Sequence, residues 1–470
     1  MTECTQTNFT FATEFRREVV ANFDGGTITT DGGSLLLHRT EQKTGILRQF
    51  ADCFQDYRNP TRVDHSVGEL VRQRVYGLAL GYEDLNDHDQ LRADPLLAML
   101  SGKDDVEGKD RRRQRDRGKA GAGKSTLNRL ELTPADASEK SRYKKIALDT
   151  KAVDDLMVDL YIQRQPRQPK RIVLDLDATD DRLHGNQEGR FYHGYYGDYC
   201  YLPLYIFIGE TLVCARLRES NQDASAGSVE EVERIVGRLR RVWPEVEIVL
   251  RADSGFCRDE LMSWCEEHQV DYAFGFSQNP RLLKRIRRQM QKAQRRHAET
   301  GKPARLFHQF RYRTLKKSWS KKRRVVAKAE CLDKGKNPRF VVTSLTKMEV
   351  RSLYEDFYCA RGEMENRIKE QQLDLFADRT STALMRSNQI RLYFSSIAYC
   401  LMQALRELGL KGTKMAKAQC GTIRVRLLKI GARVRVTVRK MWILMATGHP
   451  AGDLFAQIYA NLQRLEPLRC

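Results

Sequence analysis

Two segments that read as β-strands each run into aspartate. RIVLDLDAT carries Asp175 and Asp177, and VEIVLRADSG carries Asp253. Side chains alternate across a strand, so Asp175 and Asp177 share one face. Holding like charges side by side in a protein interior is costly unless a cation neutralises them. Asp253 is followed by the small pair Ser254-Gly255, and acids at strand ends, where a loop opens, are where α/β sheets place their chemistry. One such aspartate would read as a helix cap; two strands ending this way point to a site. A third acid belongs to the helical stretch LYEDFYCARGEMENRIKEQQLDL. At about 100° per residue, Tyr358, Arg361, Glu365, Lys369 and Gln372 fall on one face, with Glu363 roughly opposite. A salt-bridged surface helix is the competing explanation for that stretch. Three carboxylates with no His or Cys cluster favour a hard cation, Mg²⁺ or Mn²⁺, over zinc. Two such ions, about 4 Å apart, activate a water or hydroxyl and stabilise the leaving oxygen of a phosphodiester. In a basic chain, that is the chemistry of a nuclease or a phosphoryl-transferring recombinase.

The chain is basic. Its 82 Lys and Arg against 61 Asp and Glu leave a net charge of +21, which favours an anionic polymer as partner, nucleic acid first. At 470 residues it predicts two or three domains, and 41% hydrophobic residues suffice for sizeable cores. Eleven cysteines without a C-x-x-C pair read as reduced thiols of a cytoplasmic protein. No basic-then-apolar leader opens the chain, and no apolar run approaches the roughly 18 residues of a membrane span, so no membrane association is expected.

The elements that must position the acids follow from periodicity. Residues 1–102 carry apolar positions at helical spacing and predict a helical domain for DNA binding or dimerisation. Residues 103–128 read as a basic linker. From Arg171 come three strands in an antiparallel meander, then helix, strand, helix and strand, an α/β arrangement with a mixed sheet. The expected fold class is therefore α/β, with 129–280 as the first part of the core and 281–347 as a basic, β-rich insertion. Residues 281–340 alone hold 22 Lys and Arg against three acids, nearly the whole charge surplus. Residues 348–410 return helices to the core, including the one with Glu365. Residues 411–470 form a C-terminal basic region, in which TIRVRLLKIGARVRVTVRK predicts a hairpin turning at Ile430-Gly431.

Longer matches carry a resemblance. DLDATDDRLHGNQEGRFYHGYYGDYCYLPLYIF, LRADSGFCRDEL and YCARGEMENRIKEQQLDLFADRTS resemble the insertion sequence 1380 family of bacterial DDE transposases, related to the insertion sequence 4 group. The resemblance spans nearly the whole chain and implies an RNase H-like core. It further implies that Asp177, Asp253 and Glu365 are the catalytic and metal-binding triad for two Mg²⁺ or Mn²⁺ ions. Asp177 matches the first family aspartate because Ala178-Thr179 follows it, with Asp175 left as its rival. Tyr358 and Arg361 would contact phosphates near the cut, and the insertion would hold the element's ends. The family signature places a Lys seven residues after the Glu; here that residue is Gln372, and Lys369, one turn earlier, is the substitute. The implied activity is cutting of double-stranded DNA at terminal inverted repeats and joining of the 3′ ends to target DNA, by a homodimer on DNA. The alternative is a non-catalytic DNA-binding protein with the same fold.

Other motifs weigh less. GKAGAGKS at 118–125 matches the P-loop pattern, but a P-loop needs an apolar strand before it, and RRRQRDR cannot supply one. No ATP site is expected; Lys119 and Lys124 are read instead as contacts to DNA phosphates. Trp319 is a candidate wedge for a flipped base. Tyr192, Tyr195, Tyr196, Tyr199 and Tyr201, beside the first aspartates, read as a packed turn or as a stacking surface for unpaired bases, with packing slightly favoured.

Overall fold

The computed structural model describes residues 8–12, 16–315 and 318–464. The chain divides into two compact units, one of residues 148–400 and one that joins residues 1–147 to 401–470.

The first of these is organised by one mixed sheet. Its opening strand, β1 (Arg171–Ala178), forms where Ile172, Leu174 and Leu176 alternate with a polar face. It is followed by β2 (Leu204–Ile208), β3 (Thr211–Arg216), β4 (Glu247–Ala252) and β5 (Asp271–Phe276), then by β6 (Ala304–Tyr312), β7 (Arg323–Leu332) and β8 (Arg339–Thr343). The spatial order is β3-β2-β1-β4-β5-β8-β7-β6. β4 runs parallel to β1 and β5 parallel to β4, while the remaining neighbours pair antiparallel. This is the mixed α/β sheet expected, with one difference. The strands of the basic 281–347 segment extend the central sheet through β5 and β8 and do not form a separate β-module. Val325, Ala327 and Ala329 of β7 and Val342 of β8 belong to the same core as β1 and β4, and burying that apolar face is what fuses them.

One face of the sheet carries α1 (Thr150–Gln163), the strongly amphipathic α2 (Ser228–Val242) and α3 (Asp259–Glu267), whose Val158, Val232, Ile235, Leu239 and Leu261 pack on Ile172, Leu174, Leu176 and Ile248. The basic helix α4 (Arg287–Thr300) lies on β6 and β7. The other face is covered by Leu353 and Tyr354 over Val249, Ala273 and Val341. Next in the chain come α5 (Gly362–Leu375) and the long α6 (Met385–Leu408); Tyr399 of α6 meets Phe207 of β2 edge to face. Between Ser352 and α5 the helix is irregular: Leu353–Tyr358 make a π-turn and Cys359–Arg361 a 3₁₀ turn. Such wide turns concentrate at functional sites.

The second unit is mostly helical, with short sheets. Two sequence expectations fail here. The 103–128 segment is not a free linker: Ala120 and Ala122 are buried, the Ala122 N–H donates to Gln73, and a helix over Lys124–Leu132 begins within it. Residues 129–147 accordingly stay with this unit, as do the residues after 400. TIRVRLL is not a strand: Cys420–Ile423 are α-helical and Arg424–Leu428 a π-turn. Neighbours Leu427 and Leu428 are both fully buried, which a strand with one wet face cannot achieve. The hairpin lies further on, formed by β9 (Ala432–Val436) and β10 (Met441–Met445), and turns at Thr437–Lys440. The nine described cysteines carry no disulfide. No described helix is long and apolar enough to cross a membrane.

Candidate active site

β1 and β4 pair in parallel with Leu176 opposite Ala252, so the next residue of each strand, Asp177 and Asp253, emerges at the same end of the sheet. Asp253 opens the 3₁₀ turn Ser254–Phe256 and accepts from the Gly255 N–H at 2.8 Å. Asp177 accepts from the Ala178 N–H at 3.0 Å. Glu365 stands in the first turn of α5. Arg361 ties it to the strands: one guanidinium nitrogen donates to Asp177 at 3.1 Å and another to Glu365 at 2.8 Å. Burial pushes the Asp177 carboxyl up to about 6, and the charges of Asp253 and Glu365 push the same way, while Arg361 and the Ala178 N–H hold it back. The three acids therefore share one electrostatic neighbourhood.

Asp175, on the same face of β1, is engaged elsewhere. Arg251, its cross-strand partner on β4, donates two hydrogen bonds to it, at 2.5 and 2.7 Å. Arg251 also donates to the Phe357 carbonyl, tying the π-turn to the sheet. Both side chains of the pair are nearly sequestered from solvent. Asp175 is thus an internal ion-pair partner, and Asp177 is the strand carboxylate that faces Arg361.

Tyr358, at the end of the π-turn, lies against Gly275 of β5; a methyl group there would come within 2.5 Å of the tyrosine hydroxyl and 3.0 Å of the Ser254 nitrogen. Asp253, Gly275, Tyr358 and Arg361 line a cavity of about 490 Å³ with Lys336 and Arg339, a cationic cleft beside the acids. Periodicity alone did not reveal Gly275, Lys336, Arg339 or Arg251. For Arg251 a signal existed: it sits two residues before Asp253, so its side chain shares that face and opposes an acid on β1.

The remaining sequence candidates disperse. Lys369 is exposed on α5. Gln372 is committed inward, donating to Asp181 at 2.9 Å and to the Asp180 carbonyl at 3.3 Å. Trp319 is not a free wedge: it is 3% exposed, packed on Phe276 of β5 and Tyr312 of β6, where its apolar ring completes the core. Lys119 and Lys124 belong to the other unit. Lys119 caps the Arg115 carbonyl, and Lys124 pairs with Asp89 and Asn86. The element immediately before the Lys124 helix is the 3₁₀ turn Gln114–Asp116, none of whose residues is buried. The tyrosine cluster divides: Tyr201 is buried, whereas Tyr192, Tyr195 and Tyr199 are exposed, with Arg190 over the Tyr199 ring at 3.8 Å.

Asp181 carries a testable consequence of this packing. It is fully buried, and its Oδ2 has no hydrogen-bond partner. Burial pushes its carboxyl up to about 8, with Asp378 and Asp180 adding to the rise and Gln372 opposing it. The folded value lies above the unfolded one, so the folded chain holds a proton that the unfolded chain releases, and stability falls as pH climbs from about 4 to about 8. Asp181→Asn removes that penalty. The expected gain is several kcal/mol (about 1.4 for each tenfold change in proton affinity), larger in thermal melts at pH 8 than at pH 5. Equal gains at both would refute this account.

A divalent ion fits the donor set, which is carboxylate oxygen only. Among the described residues no three such side chains already converge as an ion site; Arg361 holds the position between Asp177 and Glu365.

Residues 11–467 match the family described as transposase DDE domain group 1. No curated protein sequence matches. Among solved structures, the piggyBac transposase synaptic complex with hairpin DNA aligns over 85% of this chain and 80% of that chain, at 11% identity and a TM-score of 0.42.

Proposed function

We propose, from the premise that the chain belongs to the family of transposases with a group 1 DDE domain, that it cuts DNA at the terminal inverted repeats of an insertion sequence and joins the freed 3′ ends to target DNA. The observation that carries this is the placement of Asp177 and Asp253 at the same end of two adjacent parallel strands, with Glu365 tied to Asp177 through Arg361. The order β3-β2-β1-β4-β5, with β2 antiparallel to β1, supports an RNase H-like core, and the longer motif matches support the insertion sequence 1380 group.

Asp177, Asp253 and Glu365 would hold two Mg²⁺ or Mn²⁺ ions, which supply Lewis-acid stabilisation of charge at phosphorus when bound. Asp177 is a ligand only when ionised, so the competent fraction rises as pH passes about 6. The Gly255 N–H fixes the Asp253 carboxylate, and Arg251 fixes the turn that presents Tyr358 and Arg361. Once the acids are neutralised by other means, the Arg361 guanidinium is available for a phosphate oxygen, to which its planar donors are matched. In the first step a water oxygen bonds to phosphorus and the 3′ oxygen leaves, taking a proton. In the second, that 3′-hydroxyl oxygen bonds to a target phosphorus and loses its proton to solvent, while the target's 3′ oxygen is displaced and takes up a proton. Along α4, Arg287, Arg288, Lys292, Arg295 and Arg296 are exposed with no acidic partner among the described residues, which supports a phosphate-binding role for this segment. Assembly as a homodimer on paired ends belongs to the same proposal.

Gly275→Ala is expected to displace Tyr358 and slow cutting about 10²-fold, the scale of an ångström-sized misplacement, while duplex binding is retained. Cutting at the wild-type rate would remove Tyr358 from the site. The direct test of the function is a labelled duplex ending in the element's repeat, incubated with the full chain with and without Mg²⁺. Ion-dependent nicking at the repeat end is expected. Binding without cutting under any divalent ion would establish a non-catalytic DNA-binding protein instead.

A further inference from the structure

The β9–β10 hairpin carries a feature that strand cleavage does not use. With the short strand Ile28–Thr29 it forms a three-stranded sheet in the order β10-β9-(28–29). Its inner face is apolar, from Ala432, Val434 and Ile443. Its outer face is built from cross-strand partners: Arg433 lies between Ile28 and Leu444, and Arg435 opposite Trp442. Arg433, Arg435, Trp442, Leu444 and Ile28 are all exposed, the tryptophan by 41%. Arg435 and Lys440 each approach the indole ring to 5.6 Å. The turn is closed by Thr437 and Lys440, and it projects Val438, Arg439 and Lys440 into solvent. Residues 408–452 contain ten Lys and Arg and no Asp or Glu, so no carboxylate within this stretch can neutralise the face.

We propose that this outer face binds double-stranded DNA, with Arg433, Arg435, Arg439 and Lys440 on backbone phosphates and Trp442 against the groove wall. Charge complementarity selects the occupant. A second copy docking through the same patch would set Arg433 and Arg435 against their own equivalents, since a two-fold contact is self-complementary, and like charges opposed at an interface are costly. An anionic duplex meets the cations and covers the apolar side chains at once. The geometry also suits a duplex: beyond Arg433 only β9 and β10 pair, and strands about 4.8 Å apart make a two-stranded ribbon that a major groove about 12 Å wide admits. The contact requires no cutting, so it stands or falls separately from the chemistry above.

The test uses the full-length chain and a fluorescent duplex of arbitrary sequence, without the element's repeat and in EDTA, titrated across a salt series. Arg433→Ala/Arg435→Ala is expected to weaken binding about tenfold or more and to lower the salt slope by about two, roughly one for each phosphate no longer bound. Arg439→Ala/Lys440→Ala, on the solvated turn, is expected to do the same and guards against a folding defect in the first pair. Adding duplex is expected to change the tryptophan fluorescence of the wild type, and Trp442→Phe to remove that component. Unchanged affinity and slope in both double variants would overturn the proposal. So would loss of self-association without loss of duplex binding, which would make the face an interface between copies, or binding of anionic vesicles in preference to duplex.

Discussion

Asp177→Asn is expected to abolish ion-dependent strand cutting while leaving the fold and duplex binding intact. The loss should be at least about 10²–10³-fold, the scale on which removing a single preorganised charge-stabilising group acts. Asp253→Asn and Glu365→Gln should behave alike. The three acids occupy one electrostatic neighbourhood, so removing any one of them should degrade the same proposed ligand set, and double variants should be little worse than singles. Stability gives an independent readout. Burial and two neighbouring acids penalise ionised Asp177, so its folded value, about 6, lies above its usual 3.8. The folded state is accordingly destabilised as pH rises from about 4 to about 6 and stays so above. A bound cation reverses that penalty, because an ion that binds only the folded chain raises its melting temperature. Mg²⁺ should therefore raise the melting temperature of the wild type at pH 8 and have little effect on Asp177→Asn. If the asparagine variant cuts normally, the triad is misassigned. If it cannot cut yet Mg²⁺ still stabilises it fully, the ion binds elsewhere.

The parts of this site legible in the sequence were those set by short-range periodicity. The apolar alternation of Ile172, Leu174 and Leu176 fixes β1 and places both of its aspartates on the opposite face. The amphipathic stripe of Val232, Ile235, Val236 and Leu239 marks α2 just as plainly. What was not legible depends on which distant segments meet. Asp175 and Asp177 are indistinguishable by strand period; the resemblance favours Asp177, and the register that sets Arg251 opposite Asp175 gives the two acids different partners. Trp319 lies in a strongly basic stretch, so local composition suggests a surface ligand; its burial follows from Phe276 and Tyr312, which are remote in sequence or on another strand. The π-turn at Leu353–Tyr358 also breaks the uniform 100° spacing that placed Tyr358 in line with Glu365. Tyr358 consequently reaches Gly275 and the Asp253 turn, while Arg361 keeps the one-turn pairing with Glu365. At the C-terminus the alternation of TIRVRLL imitates a strand, and the joint burial of Leu427 and Leu428 overrides it.

The register of β1 and β4 also implies the largest expected loss of stability. Arg251→Met is expected to destabilise the 148–400 unit by about 3–5 kcal/mol, the cost of leaving one member of a buried ion pair unpartnered. At roughly 2–4 °C per kcal/mol for a unit of this size, the melting temperature should fall by about 10 °C. The side chain is nearly buried and makes two hydrogen bonds to Asp175 and one to the Phe357 carbonyl, so its removal strands an acceptor as well as a charge. Burial already pushes Asp175 upward, and Arg251 is what holds it down. Without the arginine the folded value rises further above the unfolded one, so the defect must deepen as pH increases and be milder at pH 5 than at pH 8. Replacing both partners, as in Arg251→Met/Asp175→Leu, should recover most of the loss, because well-packed apolar residues substitute for a buried pair at little net cost. Asp175→Asn alone should then lower stability yet still permit cutting at low temperature, the opposite of what is expected for Asp177→Asn. A single variant that kept its melting temperature but lost cutting would move Asp175 from the scaffold into the ion site. Arg251→Met melting within about 2 °C of the wild type would mean that the pair does not hold the two strands' acids apart in role.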